Sequence, residues 1–165
     1  MKISFLPFVI TNELTDVTPK YLTEHNIRLL MLDFDNTIVP YTTSTPTQAM
    51  TDWLRTMNGS DIQLCVVSNS KHGRVKEFCT AYGLDCITHA KKPFSRGIRQ
   101  CLDRYGIPAQ EAALAGDQIF TDTLGANGCG VRPILVKAIH NHNFWLKARH
   151  VLEMPFILLA RKRRM

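Results

Sequence analysis

The 165-residue sequence has no long hydrophobic run, no CxxC pair and few aromatic residues, and each absence narrows the possible function. The N-terminal apolar stretch ends near residue 10 and has no small-residue cleavage site, whereas a membrane-spanning helix needs about 20 apolar residues. We therefore expect neither a signal peptide nor a transmembrane helix. The stretch is predicted either to pack on the body of the protein or to contact a membrane or a partner.

The chain contains five cysteines, an odd number, and they lack the spacing of metal ligands. Cys65 lies in an apolar, strand-like run, where a buried free thiol is the natural interpretation. We predict no disulfide framework and a reducing, cytoplasmic compartment. His140 and His142 have no further metal ligands near them in the sequence, so a polar turn is favoured over a metal site.

Aromatic residues make up 8% of the chain and hydrophobic residues 45%, which indicates a globular protein. The formal net charge of +6 falls to +2 without Arg161-Lys162-Arg163-Arg164, so the excess is a property of the C-terminus. A basic tail suggests contact with an anionic surface, such as lipid headgroups or nucleic acid. Because the basic residues do not interleave with aromatic ones, as stacking platforms require, we expect no nucleic-acid partner.

No repeat, linker or composition shift divides the chain, so residues 1–165 are predicted to form one domain with its core at about 27–136. Apolar strands alternate with helices there, a pattern typical of βαβ units and a parallel sheet. The predicted strands are Ile27–Leu32, Ile62–Val67, Asp85–His89, Glu111–Ala115 and Val131–Val136. The predicted helices are Pro19–Asn26, Pro46–Met57, His72–Tyr82, Phe94–Tyr105 and a segment containing Thr121 and Asp122 that residues 125–130 break.

The first predicted strand ends in the run Asp33-Phe34-Asp35-Asn36-Thr37. Two carboxylates at the carboxyl end of a buried strand make a plausible Mg²⁺ site, because Mg²⁺ prefers hard oxygen ligands. The alternative is a solvated turn after the strand. The ends of the other strands bear on this choice.

Polar residues follow the next three strands as well. The second strand ends in Ser68-Asn69, the third leads to Lys91-Lys92, and the fourth ends in Gly116-Asp117 with Asp122 a turn later. In a parallel sheet these clusters lie along one edge, where α/β folds bind their ligands. Together these side chains could carry out phosphate chemistry. Carboxylates can bind a metal, the hydroxyl and the ammonium suit a phosphate, and one remaining carboxylate can attack it.

The run Asp33-Phe34-Asp35-Asn36-Thr37 resembles the DxDxT motif of the haloacid-dehalogenase-like (HAD) phosphatases. Ser68, Lys92 and Gly116-Asp117…Asp122 match the second, third and fourth motifs of that family in order, over about Ile27 to Val136. The resemblance implies a three-layer Rossmann-like α/β fold. It also implies Mg²⁺-dependent hydrolysis of a phosphate monoester through an aspartyl-phosphate.

The resemblance assigns a role to each residue of the first motif. It implies that Asp33 is the nucleophile and a metal ligand. It implies that Asp35 first protonates the leaving oxygen, then activates water, and contacts the metal through its backbone carbonyl. Thr37 is expected to orient Asp35 within the substrate site.

The later motifs supply the remaining roles that the resemblance implies. Ser68, with Asn69 nearby, is expected to bind the transferring phosphoryl oxygens. Lys92 is expected to neutralise charge on the nucleophile and the phosphate. Asp117 is expected to ligate Mg²⁺, and Asp122 to support the metal directly or through water.

The short spacings from Asp33 to Ser68 and from Ser68 to Lys92 leave no space for a large cap domain, which indicates an open site. Three stretches of the sequence resemble the motifs of the capless subclass III of this superfamily, and within it those of the small bacterial phosphatidylglycerophosphate phosphatases. They are Leu32–Thr37, Lys91-Lys92-Pro93 and Ala115–Asp122. That likeness implies a lipid phosphate monoester as substrate and a place in phospholipid metabolism.

The C-terminal part of the chain bears on that interpretation. Apolar residues recur at helical spacing among basic ones, and Phe156–Ala160 runs into the basic tail. The recurring residues are Phe144, Trp145, Ala148, Val151 and Leu152. This segment, at about 140–165, either packs on the core or lies on an anionic leaflet, which would make the protein peripheral at a membrane. The oligomeric state is not predicted.

Three alternatives stay open. The first is that the substrate is a soluble or macromolecular phosphate. The second is a nucleic-acid or ribosome-associated binding protein with a vestigial site. The third is a receiver-like phospho-acceptor domain. The last is disfavoured because the receiver acceptor aspartate follows a later strand, whereas here the acidic pair follows the first predicted one.

Overall fold

Six parallel strands form the centre of the computed structural model, which describes residues 4–71, 73–139 and 153–160. Their spatial order is β1-β6-β5-β2-β3-β4. The strands are β1 Val9–Thr11, β2 Leu29–Leu32, β3 Gln63–Val67, β4 Asp85–Ile87, β5 Ala112–Gly116 and β6 Arg132–Val136. The predicted Rossmann-like α/β fold with a parallel sheet is confirmed.

Helices connect the strands and cover both faces of the sheet. They are α1 Pro19–Glu24, α2 Gln48–Asn58, α3 Arg74–Tyr82, α4 Arg96–Tyr105 and α5 Leu124–Cys129. Two 3₁₀ turns, Leu14–Asp16 and Ala109–Glu111, and one π-helical turn, Ile119–Thr123, complete the connections. Residues 153–159 form a further short helix.

The core lies in two layers, one on each face of the sheet. Alternate residues of β2 point to opposite faces, as in any strand: Leu30 and Leu32 pack with α1, α2 and α3, whereas Leu29 and Met31 pack with α4 and α5. All four are fully buried, which explains why this strand is a continuous apolar run.

Local signals place most helix ends. The Thr18 hydroxyl accepts a hydrogen bond from the Tyr21 amide and caps α1, whose first residue is proline, as predicted. Gly83 and Gly106 end α3 and α4 in the left-handed conformation that glycine adopts without steric cost. The predicted strand that starts at Asp85 ends at Ile87, two residues early.

Two sequence expectations need correction. The N-terminal stretch packs on the body of the protein, which was one of its two predicted roles, but it does so as the edge strand β1 paired with β6. The described sheet therefore has six strands instead of the five predicted. The expected break at residues 125–130 was wrong, because α5 continues through Gly125 and ends at Cys129. Glycine at position 125 lets α5 pack closely here, since a Cβ would lie 3.2 Å from atoms of Ile98 and Pro93.

Several further expectations concern particular residues. The cysteines are free, as expected, and the Trp53 side chain packs in the core with its indole N–H donating to the Val17 carbonyl at 2.8 Å. Within residues 4–71, 73–139 and 153–160, no helix is long and apolar enough to cross a membrane. The predictions for His140, His142, the periodic segment at 144–152 and the tail at 161–164 lie outside the described residues.

Candidate active site

The carboxyl ends of the central strands bring the predicted residues to one edge of the sheet. In register, Leu32 at the end of β2 lies beside Val66 of β3 and Ala115 of β5. The amide of Asp33 extends this pairing by donating to the Ala115 carbonyl at 2.8 Å. The residues that follow the three strands therefore meet here.

Lys92 lies between two of the predicted carboxylates. Its ammonium Nζ is 2.7 Å from Asp33 Oδ1 and 2.6 Å from Asp122 Oδ1. Only 1% of the lysine side chain is exposed, with 9% for Asp33 and 3% for Asp122. A buried charge is tolerated when oppositely charged partners surround it, so these three residues form one ionic cluster.

A third carboxylate completes this cluster. Asp33, Asp117 and Asp122 each offer a ligand oxygen, and these oxygens lie within 4.8 Å of one another. Three carboxylates against one ammonium leave two negative charges. A divalent cation bound by hard oxygen ligands fits both the donor set and the charge.

The backbone after β5 brings Asp122 close. The Asp122 Oδ2 accepts a hydrogen bond from the Gln118 amide at 3.2 Å, and the Asp122 amide donates to the Gln118 carbonyl at 3.0 Å. Gly116 faces the carboxylate so closely that a Cβ there would lie 2.4 Å from it. Glycine at position 116 therefore leaves the space that Asp122 occupies.

Burial and mutual charge shift the titration of the cluster. Burial raises the pKa of Asp33 to about 6; Lys92 opposes this shift, and the neighbouring Asp122 adds to it. Burial by itself would lower the pKa of Lys92, but the charges of Asp122 and Asp33 outweigh it and raise that pKa. Lys92 is therefore a permanent cation beside the proposed nucleophile.

The segment that carries Lys92 is tied to the segment after β3. The Asn69 side chain accepts a hydrogen bond from the Lys92 amide at 2.7 Å and donates to the Lys92 carbonyl at 2.9 Å. Ser68 is buried, and its hydroxyl accepts from the Ser70 amide at 3.0 Å. Asn69 thus positions the lysine backbone, a role the sequence pattern did not predict.

Asp35 contacts a cation that sequence reasoning missed. Its Oδ1 forms an ion pair with the guanidinium of Arg74 at the start of α3. Arg74 also donates to the Tyr41 carbonyl at 2.6 Å and lies over the rings of Phe34 and Tyr41. In the sequence, nothing distinguishes Arg74 from any other basic residue on a helix.

Thr37 is buried, and its hydroxyl has no hydrogen-bond partner among the residues that the structure describes. The expected orientation of Asp35 by Thr37 is therefore not seen in this arrangement. Asn36 instead organises the turn, with its Oδ1 accepting from the Tyr41 amide at 3.2 Å and its carbonyl accepting from the Ile139 amide at 3.0 Å.

The site is open to the outside, as the short spacings between motifs indicated. A cleft of about 560 Å³ beside Asp35 is lined by Asp35, Tyr41, Asn69, Ser70, Lys71 and Arg74. In the described part of the chain, no inserted domain covers it, because a loop and α2 lead directly from β2 to β3.

Comparisons with known proteins agree with this geometry. The sequence matches the haloacid dehalogenase-like hydrolase family over residues 8–136. It is 31% identical over 136 residues to "Probable phosphatase YqeG" of Bacillus subtilis, covering 82% of this chain and 79% of the relative.

Similar solved structures are much more distant in sequence. A cobalt-bound deoxy-D-mannose-octulosonate 8-phosphate phosphatase from Haemophilus influenzae superposes with a TM-score of 0.56 at 13% identity, covering 84% of this chain and 92% of that one. The 3-deoxy-D-manno-octulosonate 8-phosphate phosphatase from Yersinia pestis has a TM-score of 0.54 at 16% identity, covering 84% of each chain. At these identities the likeness shows the fold alone.

The family match covers most of the chain, and its first, third and fourth motifs meet at one edge of the sheet. The Bacillus subtilis relative is named as a probable phosphatase, and the prediction of a phosphatase is confirmed. The chain therefore belongs to the haloacid dehalogenase-like hydrolases and is a phosphatase of that superfamily.

Proposed function

We propose that this protein hydrolyses a phosphate monoester in a Mg²⁺-dependent reaction through an aspartyl-phosphate on Asp33. The observation that carries the proposal is the buried contact of Lys92 with both Asp33 and Asp122, beside Asp117. A phosphate dianion and a carboxylate nucleophile repel each other. A lysine that stays charged in this position reduces that repulsion, and phosphoryl transfer depends mainly on such electrostatic stabilisation.

The proposed metal ligands are the carboxylates of Asp33, Asp117 and Asp122, with the backbone carbonyl of Asp35. Mg²⁺ bound there would neutralise the charge that Lys92 leaves uncompensated and draw the phosphate oxygens toward the nucleophile. The support is the donor set itself, three carboxylates whose ligand oxygens lie within 4.8 Å of one another. The bond-breaking and proton-transfer steps are carried out by side chains of the protein.

In the first step, a carboxylate oxygen of Asp33 attacks phosphorus while the bond from phosphorus to the leaving oxygen breaks. Asp35 gives its proton to that oxygen, and the alcohol leaves. In the second step, Asp35 takes a proton from a water molecule that attacks the aspartyl-phosphate, releasing inorganic phosphate and restoring Asp33. Ser68 donates to the phosphoryl oxygens, and Lys92 balances their charge.

The test is phosphate release from p-nitrophenyl phosphate, measured with Mg²⁺ and with EDTA. We expect turnover only with Mg²⁺, and we expect Asp33→Asn to abolish it, because an amide is a far weaker nucleophile than a carboxylate. Asp61→Asn is the matched control, since Asp61 is exposed before β3, at the opposite end of that strand. Normal turnover by Asp33→Asn would refute the nucleophile assignment.

For the physiological substrate we favour a lipid phosphate monoester such as phosphatidylglycerophosphate. The support is an open site together with exposed apolar side chains on residues 153–159, notably Leu158 and Leu159. One residue separates Leu159 from the four basic residues of the tail. Apolar side chains beside cations suit an anionic bilayer surface. A soluble or macromolecular phosphate is the alternative, and the substrate comparison below separates them.

A further inference from the structure

The cleft beside Asp35 contains two cations that the hydrolysis of a simple monoester does not require. Arg74 forms one wall, and Lys71 lies exposed at its rim. Asp33, Lys92, Asp117 and Asp122, which serve the transferring phosphate, do not line this cleft. Its cations therefore face a different part of the substrate.

The position of Asp35 identifies that part. An acid that protonates the leaving oxygen must lie beside it, so the leaving alcohol extends past Asp35. Arg74 contacts the Asp35 carboxylate and lines the cleft on that side. A group carried by the leaving alcohol is therefore the part of the substrate that meets Arg74 and Lys71.

Arg74 is held in place before any substrate arrives. Its guanidinium donates to the Tyr41 carbonyl and the Asp35 carboxylate, and its Cζ lies 5.1 Å from the Phe34 ring centroid and 5.6 Å from that of Tyr41. A guanidinium has five N–H donors, so these two hydrogen bonds leave others for a ligand. A stacked, pre-oriented arginine is suited to bind the oxygens of a carboxylate or phosphate.

We propose that Arg74 and Lys71 form a subsite for a second anionic group on the leaving alcohol, so that the preferred substrates are phosphate monoesters with a neighbouring carboxylate, phosphate or phosphodiester. This inference rests on the proposed function and refines its substrate class. Phosphatidylglycerophosphate contains such a phosphodiester, and soluble phosphate monoesters with a carboxylate or a second phosphate also meet the requirement. The shared chemistry is the second anion, and the assay separates its sources.

The experiment compares kcat/KM for two substrate pairs that differ in the second anion. The soluble pair is 3-phosphoglycerate and glycerol 3-phosphate; the lipid pair is phosphatidylglycerophosphate and phosphatidic acid in micelles of one neutral detergent. We expect the substrate with the second anion to be favoured about tenfold or more in at least one pair, since hydrogen bonds to charged groups are the strong ones. Preference in the lipid pair alone identifies a lipid headgroup.

Variants then assign the preference to the two cations. Arg74→Gln and Lys71→Gln are expected to reduce the ratio of kcat/KM within the favoured pair about tenfold, mainly by raising KM for the member that has the second anionic group. Lys76→Gln, an exposed lysine on the same helix, is the control and should keep the ratio. Circular dichroism and Tm verify that each variant is folded.

Each other outcome counts against the subsite. If Arg74 serves only to hold Tyr41 and Asp35, Arg74→Gln will slow both members of a pair equally and the ratio will not change. Equal kcat/KM within both pairs for the unaltered protein would overturn the inference while leaving the proposed phosphatase reaction intact. No turnover of p-nitrophenyl phosphate with Mg²⁺ would instead overturn the proposed reaction.

Discussion

At the scale of single residues, the site depends on a lysine that would be costly to bury alone. Taking an ammonium out of water costs several kcal/mol unless close partners compensate it. Asp33 and Asp122 supply that compensation at 2.7 Å and 2.6 Å. The same contacts crowd the carboxylates together, so they repel one another, and substitution of one of them relieves that repulsion.

Asp33 allows the cost of burying its carboxylate beside Asp122 to be measured through pH. Its raised pKa means that the folded protein binds this proton more tightly than the unfolded chain does. The ionised carboxylate therefore destabilises the fold at neutral pH, and this cost disappears as the pH falls from about 6 to the ordinary carboxyl value of 3.8. Asparagine cannot ionise, so Asp33→Asn escapes the cost.

We expect the Tm of Asp33→Asn minus that of the unaltered protein, measured in EDTA, to be most positive near pH 7. It should decrease as the pH approaches 4. Differential scanning fluorimetry across this range is the measurement, with Asp61→Asn as the exposed control. A difference that is constant with pH, or that grows in acid, would contradict the assignment of this cost to the ionised Asp33 carboxylate.

Gly116 offers a second test at the residue scale. A methyl group at this position would lie 2.4 Å from the Asp122 carboxylate, too close without a shift. We expect Gly116→Ala to displace Asp122 and to weaken Mg²⁺ or Mn²⁺ binding about tenfold or more, measured by calorimetry. Gly128→Ala is the control, because a side chain there meets nothing within 4 Å. Unchanged metal affinity in Gly116→Ala would exclude Asp122 from the metal site.

At the scale of elements, residues from both terminal parts of the described chain pack beside the loop between Asp117 and Asp122. Phe5 and Phe156 pack with ring centroids 4.9 Å apart, and Phe120 of the π-helical turn lies 5.8 Å from Phe5. Buried Glu153 accepts hydrogen bonds from the backbone amides of Ile119 at 3.0 Å and Phe120 at 3.4 Å. The C-terminal helix thereby supports the loop between Asp117 and Asp122.

Removal of this support should be visible as lost stability. Glu153→Ala leaves two backbone amides without their acceptor, which costs about 1–3 kcal/mol for each buried group left unsatisfied. We expect a Tm lower by several degrees, with Met154→Ala, the exposed neighbour in the same helix, close to the unaltered protein. A Tm for Glu153→Ala equal to that of Met154→Ala would show that the contact contributes nothing.

At the scale of the whole molecule, exposed apolar side chains near the C-terminus precede the run of basic residues that holds most of the net charge. Leu159 is 74% exposed and Leu158 46%, and the four basic residues follow one residue later. Each cation near an anionic bilayer contributes about 1 kcal/mol. This arrangement predicts binding that depends on both salt and lipid charge.

We expect the full chain to sediment with vesicles of phosphatidylglycerol and phosphatidylcholine at low salt. Removal of residues 161–165 should lower binding more than tenfold, and pure phosphatidylcholine vesicles serve as the control for charge. RNA affinity with and without the tail is measured alongside. A tail-dependent affinity for RNA but not for vesicles would favour the nucleic-acid alternative over the lipid one.

Vesicle binding does not measure whether the enzyme prefers lipid over soluble phosphates, so a catalytic assay is needed. We expect faster release of phosphate from phosphatidylglycerophosphate in anionic vesicles than from sugar or nucleotide monophosphates at the same concentration. The reason is that surface binding raises the local concentration of substrate at an open site. Preference for the soluble compounds would remove the lipid proposal and leave the phosphatase reaction.

Much of this protein was determined by local pattern in the sequence. The buried strand Leu29–Leu32 is readable because a strand covered on both faces must be apolar throughout. Asp33, Lys92, Asp117 and Asp122 were predictable as one cluster, because parallel strands place their carboxyl ends at the same edge. The sheet, its central strands and the family all follow from such signals.

Only the tertiary structure decided which side chains meet across long separations. The sequence did not predict four of these contacts. They are the pairing of strand β1 with β6, the ion pair of Asp35 with Arg74, the hydrogen bonds between Asn69 and Lys92, and the contact of Glu153 with the loop between Asp117 and Asp122. A short apolar stretch, a helical arginine or a lone glutamate looks the same in any protein. Their partners are set by packing of the whole chain, which brings together residues that no local pattern relates.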